Sequence, residues 1–221
     1  MLLTQNKKMK KASELTYNFG IPAFKSITTG LRTCPNAGVC AAGCYAKSGT
    51  YRFKNVVNAY ENRLKATQLD SFVTLMVAEI SYLKVKAESE GKRLVIRVHD
   101  SGDFYSLDYA NKWSDIAKQV GDSVHFYAYT KQVKMFKTEV KDWPINFRIC
   151  FSFGGKQDAL IDTEKDFHSI VFESIEELDA NGYANASQDD TVTALGESLK
   201  IGLVYHGTKK FSNTKWIEVM K

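Results

Sequence analysis

The second half of the chain predicts an α/β fold of parallel β/α units, and three observations carry that expectation. From Arg93 onward, short β-rich runs alternate with helical stretches, as in a parallel sheet whose strands are joined by crossover helices. Three successive runs are apolar on one face and polar on the other. No repeat, low-complexity tract or linker divides the 221 residues, so a single α/β domain spanning 1–221 is expected. The residues alone leave an open sheet and a partial barrel as alternatives.

The elements follow in order. Residues 1–15 are basic and predict a flexible end, and residues 16–53 hold the first strand and a cysteine loop. In "YNFGIPAFKSITTG" a turn at Gly20-Ile21-Pro22 precedes a short strand that leads into that loop. "FKNVVNAYENRLKATQ" and "LDSFVTLMVAEISYLKVKAESEG" have apolar residues at three- and four-residue spacing and predict helices, the second starting at Asp70-Ser71 and stopped by Gly91. "RLVIRVH", "SVHFYAYT", "FRICFSF", "HSIVF" and "LKIGLVYHG" predict strands. Between and after them "SLDYANKWSDIAKQV", "KQVKMFKTEV", "KQDALID", "SIEELDANG" and "NTKWIEVMK" predict helical segments. Residues 180–200 are polar and acidic and predict a surface excursion.

Side chains alternate faces along a strand. Leu94, Ile96 and Val98 therefore oppose Arg93, Val95, Arg97 and His99. Val124, Phe126 and Ala128 oppose His125, Tyr127 and Tyr129, and Phe147, Ile149, Phe151 and Phe153 oppose Arg148, Cys150 and Ser152. With the apolar faces under helices, Arg97, His99, Tyr129, Arg148 and Cys150 share an interior, expected to be a solvated or ligand-filled cavity. The plainer alternative is that the cations pair with buried carboxylates.

Net charge is +5 from 30 basic and 25 acidic residues, which suits a basic patch and leaves the partner open. No run approaches the roughly 20 apolar residues that cross a bilayer, and the lysine-rich start is not a signal peptide. A cytoplasmic protein without a membrane partner is expected.

"TCPNAGVCAAGCYAKSGTYRF", residues 33–53, holds three of the four cysteines: Cys34, Cys40 and Cys44, separated by five and then three residues. In a reducing compartment such a group points to metal or redox chemistry rather than to disulfides. Zinc needs a fourth ligand, from Cys150 or a strand histidine. An iron-sulfur cluster suits three thiolates at short, irregular spacing better, and leaves one iron open. An open iron at the mouth of a parallel β/α barrel is where S-adenosylmethionine is bound and reductively cleaved.

The strand ends supply further candidates. In "HDSGDFYS", Asp100 or Asp103 can accept hydrogen bonds from a ligand, or Asp103 or Ser106 can cap the next helix. "YAYTKQ" adds Tyr129, Thr130 and Lys131 at the same rim. Gly154, Gly155 and Lys156 offer a cradle for an anion.

"TCPNAGVCAAGCYAKSGTYRF", "RVHDSGDFYSLDYANKW" and "FYAYTK", in this order, resemble the phage-borne family named after gene product eighty-eight of mycobacteriophages. The resemblance covers most of residues 17–155 and implies a viral protein, placed in the host cell cytoplasm, whose cysteines bind an iron-sulfur cluster. The layout also distantly resembles radical S-adenosylmethionine enzymes, and so implies a partial TIM-type barrel with the cysteine loop at its mouth. On that resemblance Cys34, Cys40 and Cys44 ligate a [4Fe-4S] cluster, and Ser101, Gly102 and Asp103 stand where those enzymes hold the amino group of S-adenosylmethionine. Arg97, His99, Tyr129, Lys131, Arg148 and Cys150 are then the candidates for contacts to an unknown substrate. Two other functions fit the same residues. One is a non-enzymatic redox, structural or virion-associated iron-sulfur protein, with a host protein as partner. The other is a nucleic-acid-binding module with a structural metal, using "YRFKNVVNAYENR" and "TKQVKMFK".

Overall fold

The computed structural model describes residues 1–205, so the last predicted helix, "NTKWIEVMK", lies outside the described residues. Seven strands form one sheet: β1 (Leu15–Phe19), β2 (Leu94–Val98), β3 (Val124–Thr130), β4 (Phe147–Ser152), β5 (His168–Phe172), β6 (Ala184–Asn185) and β7 (Lys200–Val204). Their order is β1-β2-β3-β4-β5-β7-β6, every pair is parallel, and the sheet curls into a half-barrel. The helices are α1 (Cys40–Gly43), α2 (Lys54–Thr67), α3 (Phe72–Ser89), α4 (Leu107–Val120), α5 (Ile175–Ala180) and α6 (Thr191–Leu195). Among the described residues none is long and apolar enough to cross a membrane.

The alternation of faces holds along β2, β3 and the start of β4. Leu94, Ile96, Val98, Val124, Phe126, Ala128 and Phe147 are buried in one core with Met76, Ile80 and Leu83 of α3 and Trp113 and Ile116 of α4. Phe19, Phe72 and Trp113 meet edge to face at its centre, with ring centroids 5.2–5.7 Å apart. Ser106 is the cap that starts α4, its hydroxyl accepting from the Tyr109 N–H at 3.1 Å, so the capping role falls to Ser106 and not Asp103.

Two expectations are corrected. The first strand precedes the Gly20 turn instead of following it, because Leu15–Phe19 pairs with Leu94–Val98 in register. The N-terminal residues are built into the fold: Leu3 and Met9 are buried, Thr4 bridges Asn18, and the Leu2 and Leu3 N–H groups donate to Glu79 at 2.7 and 2.8 Å. "KQVKMFKTEV" and "KQDALID" are helical as expected but short, the first over 133–139 with a π-helical Met135–Glu139 and the second as a 3-10 turn at Asp158–Leu160.

The largest correction concerns residues 180–200, which fold across the concave face of the sheet. Ala186, Ser187, Asp190, Thr193 and Ala194 are buried there. Ala194 packs on Val95 and Tyr127, while Ala186 and Ile201 pack on Cys150. The physical reason is charge. Asp190 accepts from Arg97 at 2.9 Å and Lys8 at 2.8 Å, so the acidity that predicts exposure is what neutralises the cations of the concave face.

Asp190→Ala leaves Arg97 and Lys8 without their counter-ion under the α6 segment. It should cost about 3–5 kcal/mol of stability in urea unfolding, the range for breaking a buried pair by removing one partner. A loss under about 1 kcal/mol would mean that the pair behaves as a solvated one.

Candidate functional site

Parallel strands place all their C-terminal ends on one edge, and the loops after β1, β2, β3 and β4 meet there. The first two are locked together by backbone. Ile21 N–H donates to the Ser101 carbonyl at 3.0 Å, and Asp103 N–H donates to the Thr33 carbonyl at 3.1 Å. Gly102 has φ +83°, and a Cβ there would overlap the Ile21 side chain, so the turn requires glycine.

The cysteine loop crosses the same edge. Ala37 bridges Gly155, and the Gly38 and Cys40 N–H groups both donate to the Gly154 carbonyl at 3.2 Å. A Cβ on Gly38 would lie 2.8 Å from the Gly155 carbonyl, so two glycines let the backbones touch. The Gly154 and Gly155 N–H groups point to the Asp158 carboxylate at 2.7 and 2.8 Å. The expected anion cradle is therefore filled by the chain's own acid.

Cys34, Cys40 and Cys44 all belong to this loop. Cys34 Sγ accepts from the Phe24 N–H at 3.3 Å. Burial pushes the Cys34 thiol up to about 12, helped by the negative charge of Asp103 and opposed by the Phe24 N–H bond. Cys40 is raised by burial too, against the opposing charge of Lys131, with Cys44 and Asp103 adding to the rise. No three His, Cys, Asp or Glu groups among the described residues converge to hold one metal ion. Cys150 lies apart, buried against Ala186 and Ile201 beneath the covering segment, its thiol pushed by burial up to about 12.

The remaining candidates divide. Asp103 Oδ1 accepts from Thr130 Oγ1 at 2.6 Å and Phe104 N–H at 2.8 Å, and Oδ2 accepts from Lys131 N–H at 3.0 Å. Its carboxylate ties the β2 turn to the end of β3. Lys131 Nζ spends its three protons on the Ser152 carbonyl, Ser152 Oγ and Phe153 carbonyl at 2.8–2.9 Å, joining β3 to β4. Tyr129 bonds Thr193 at 2.6 Å, and Arg148 donates to the Thr193 carbonyl at 3.2 Å and stacks on Phe167. Arg97, Tyr129, Arg148 and Cys150 therefore line a filled interior, and the expected cavity is corrected to a packed one.

His99 leaves that interior altogether. β2 ends at Val98, and φ +70° at His99 turns its ring to the helix side, where Nε2 lies 2.9 Å from the Tyr109 hydroxyl and the ring packs on Phe104. Alternation fails at the residue after the strand. Sequence reasoning also missed the convergence on Asp100, whose Oδ2 accepts from Tyr60 at 2.8 Å and Tyr51 at 3.3 Å while Tyr45 donates to its carbonyl. The tyrosines come from the loop and from α2, so no local spacing signals their meeting.

The gene product 88 family pattern matches residues 1–215 of the chain. No curated protein and no solved structure matches it.

Burial first, and the Arg97 charge second, push His99 from 6.5 down to about 3. Between those values the unfolded chain binds a proton there that the folded chain does not. Stability should therefore fall with pH through that window, His99 contributing up to about 1.4 kcal/mol per pH unit. Urea unfolding from pH 6.5 to pH 4 should show a shallower slope for His99→Asn, a residue that tolerates positive φ. Equal slopes in both proteins would show that His99 is protonated in the fold.

Proposed function

The chain belongs to the gene product 88 family, and we propose that it is an iron-sulfur protein whose Cys34, Cys40 and Cys44 hold a [4Fe-4S] cluster at the open edge of the half-barrel. What supports this is that three cysteines share one loop that is fastened on both sides. Thr33 accepts from the Asp103 N–H, and Gly38 and Cys40 donate to Gly154.

The donor set suits a cluster better than a single ion. Zinc demands that its ligands converge on a point, whereas each thiolate of a cubane binds a different iron, so the sulfurs stand apart. Desolvation raises the Cys34 and Cys40 thiols, and a bound metal centre would supply the positive charge that ionises them. The Phe24 N–H on Cys34 Sγ is a hydrogen bond of the sort that tunes cluster sulfurs. Bound there, a cluster supplies one-electron chemistry.

Three cysteines leave one iron for an outside ligand, and the proposal extends to S-adenosylmethionine in that place, with radical chemistry on an unknown substrate. The Asp103 carboxylate is spent on Thr130, Lys131 and Phe104, so Ser101, Gly102 and Asp103 contribute the shape of the turn rather than a free acid. Arg97, Tyr129 and Arg148 hold the interior closed behind the site, and Lys131 fixes the edge beside Cys40.

Anaerobic reconstitution with ferrous iron and sulfide should give about four irons and four sulfides per chain. Cys34→Ser, Cys40→Ser and Cys44→Ser should each lose most of the cluster absorbance while Cys150→Ser keeps it. Zinc uptake without sulfide would overturn the cluster. Electron paramagnetic resonance of the reduced protein should change on adding S-adenosylmethionine; an unchanged signal would reject the radical enzyme and favour a redox or virion-associated role.

A further inference from the structure

Between Glu14 and Glu61 the chain has no acidic residue, although it carries 25 in 221 residues overall. The same stretch holds Lys25, Arg32, Lys47, Arg52 and Lys54. All five are exposed, and Lys156 joins them from across the edge, its Nζ 3.2 Å from the Pro35 carbonyl. Among the described residues none of the six has a carboxylate within ion-pair distance.

The four acids bonded into these turns are buried and occupied. Glu61 accepts from Ser26, Ile27 and Thr28 at 2.5–2.8 Å, Asp100 from two tyrosines, Asp103 from three donors, and Asp158 from Gly154 and Gly155. The negative charge of this region sits below the surface and its positive charge on it. Such a rim attracts a polyanion.

Aromatic rings stand among these cations. Phe53, between Arg52 and Lys54, is 59% exposed, and Tyr45, two residues before Lys47, is 45% exposed. Arg32 and Lys47 both sit over the Phe24 ring, at 5.0 and 4.7 Å, which holds two of the cations together. Exposed rings between cations are what a flexible strand with unpaired bases uses, its phosphates meeting the cations and its bases stacking on the rings. A duplex keeps its bases stacked and would leave the rings idle.

We infer that the rim of the cysteine loop, with Lys47, Arg52, Phe53 and Lys54 at its centre, is a docking surface for single-stranded nucleic acid. The inference stands apart from the cluster, since the cations and rings belong to the loop whatever the thiols hold. Of the two basic stretches that the sequence offers for nucleic acid, "YRFKNVVNAYENR" and "TKQVKMFK", it selects the first. In "TKQVKMFK" Lys131 is spent on the Ser152 and Phe153 carbonyls and Lys137 on Asp166, which leaves Lys134 alone, whereas Lys47, though its Nζ also donates to the Ala41 carbonyl at 2.7 Å, stands with Arg52 and Lys54 without a carboxylate partner among the described residues.

The test is fluorescence anisotropy of the full chain, as purified and after reconstitution, with a labelled oligothymidylate of about 20 nucleotides and a duplex of equal length. The single strand should bind more tightly than the duplex and weaken steeply with salt. Arg52→Gln/Lys54→Gln should weaken binding about tenfold or more and make the log–log salt slope shallower by about 1–1.5. Phe53→Ala should weaken it several-fold at unchanged slope. Lys84→Gln/Lys118→Gln removes equal charge from helix ends that lead into the opposite edge of the sheet and should change little; thermal unfolding confirms that each variant is folded. Absence of binding at low salt, equal affinity for duplex, equal loss from the control pair, or capture only by phosphatidylglycerol vesicles would each overturn the inference.

Discussion

Asp190 accepts Arg97 at 2.9 Å and Lys8 at 2.8 Å, and the arrangement of the molecule depends on that contact. A parallel sheet must be covered on both faces, since its strands offer no water-tolerant side. Here α3 and α4 cover one face with an apolar core. The other face carries Arg97, Arg148 and two tyrosine hydroxyls, which a purely apolar layer could not cover without leaving charge unpaired. The 180–200 segment answers with one acid for Arg97, backbone carbonyls of Thr193 and Gly196 for Arg148, and the Thr193 hydroxyl for Tyr129. The Lys8 arm brings the N-terminal residues into the same contact. With the interior filled, chemistry is confined to the edge.

At that edge the constraints are of backbone rather than of charge. Gly102 lets the β2 turn close on Ile21, and Gly38 and Gly155 let the cysteine loop lie against the β4 turn at van der Waals distance. Asp103 and Lys131 then spend their polar atoms in joining neighbouring strand ends, and Asp158 in closing the turn after β4. Most of the polar side chains that look functional at these turns are therefore braces. The thiols are the exception, held in a fastened loop with only the Phe24 N–H on Cys34 Sγ as a hydrogen-bond donor among the described residues. A rigid frame around reactive groups is the condition for a metal centre whose ligands keep their spacing.

The electrostatics of the edge are layered. Carboxylates lie beneath, bonded by hydroxyl and amide donors, while lysines and arginines project above them without counter-ions among the described residues. Buried acids stabilise the turns locally, and the exposed cations set the field that an approaching partner meets. The rim can therefore draw an anion without disturbing the bonds that hold it in shape.

The sequence by itself determined the class of fold, the faces of three central strands, the two long helices and the clustering of three cysteines after the first strand. These are periodic or local properties: period two in "RLVIRVH", spacing of three and four in "FVTLMVAEISYL", thiols within eleven residues. Only the tertiary structure decided that His99 turns away from Arg97, because one positive φ reverses the alternation at the strand's end. It also decided that an acidic segment would be buried, because Asp190 finds its cations 93 and 182 residues away. The three tyrosines around Asp100 belong with these, drawn from separate elements. Pattern along the chain reports what each element buries; what pairs across the sheet depends on which elements the fold brings together.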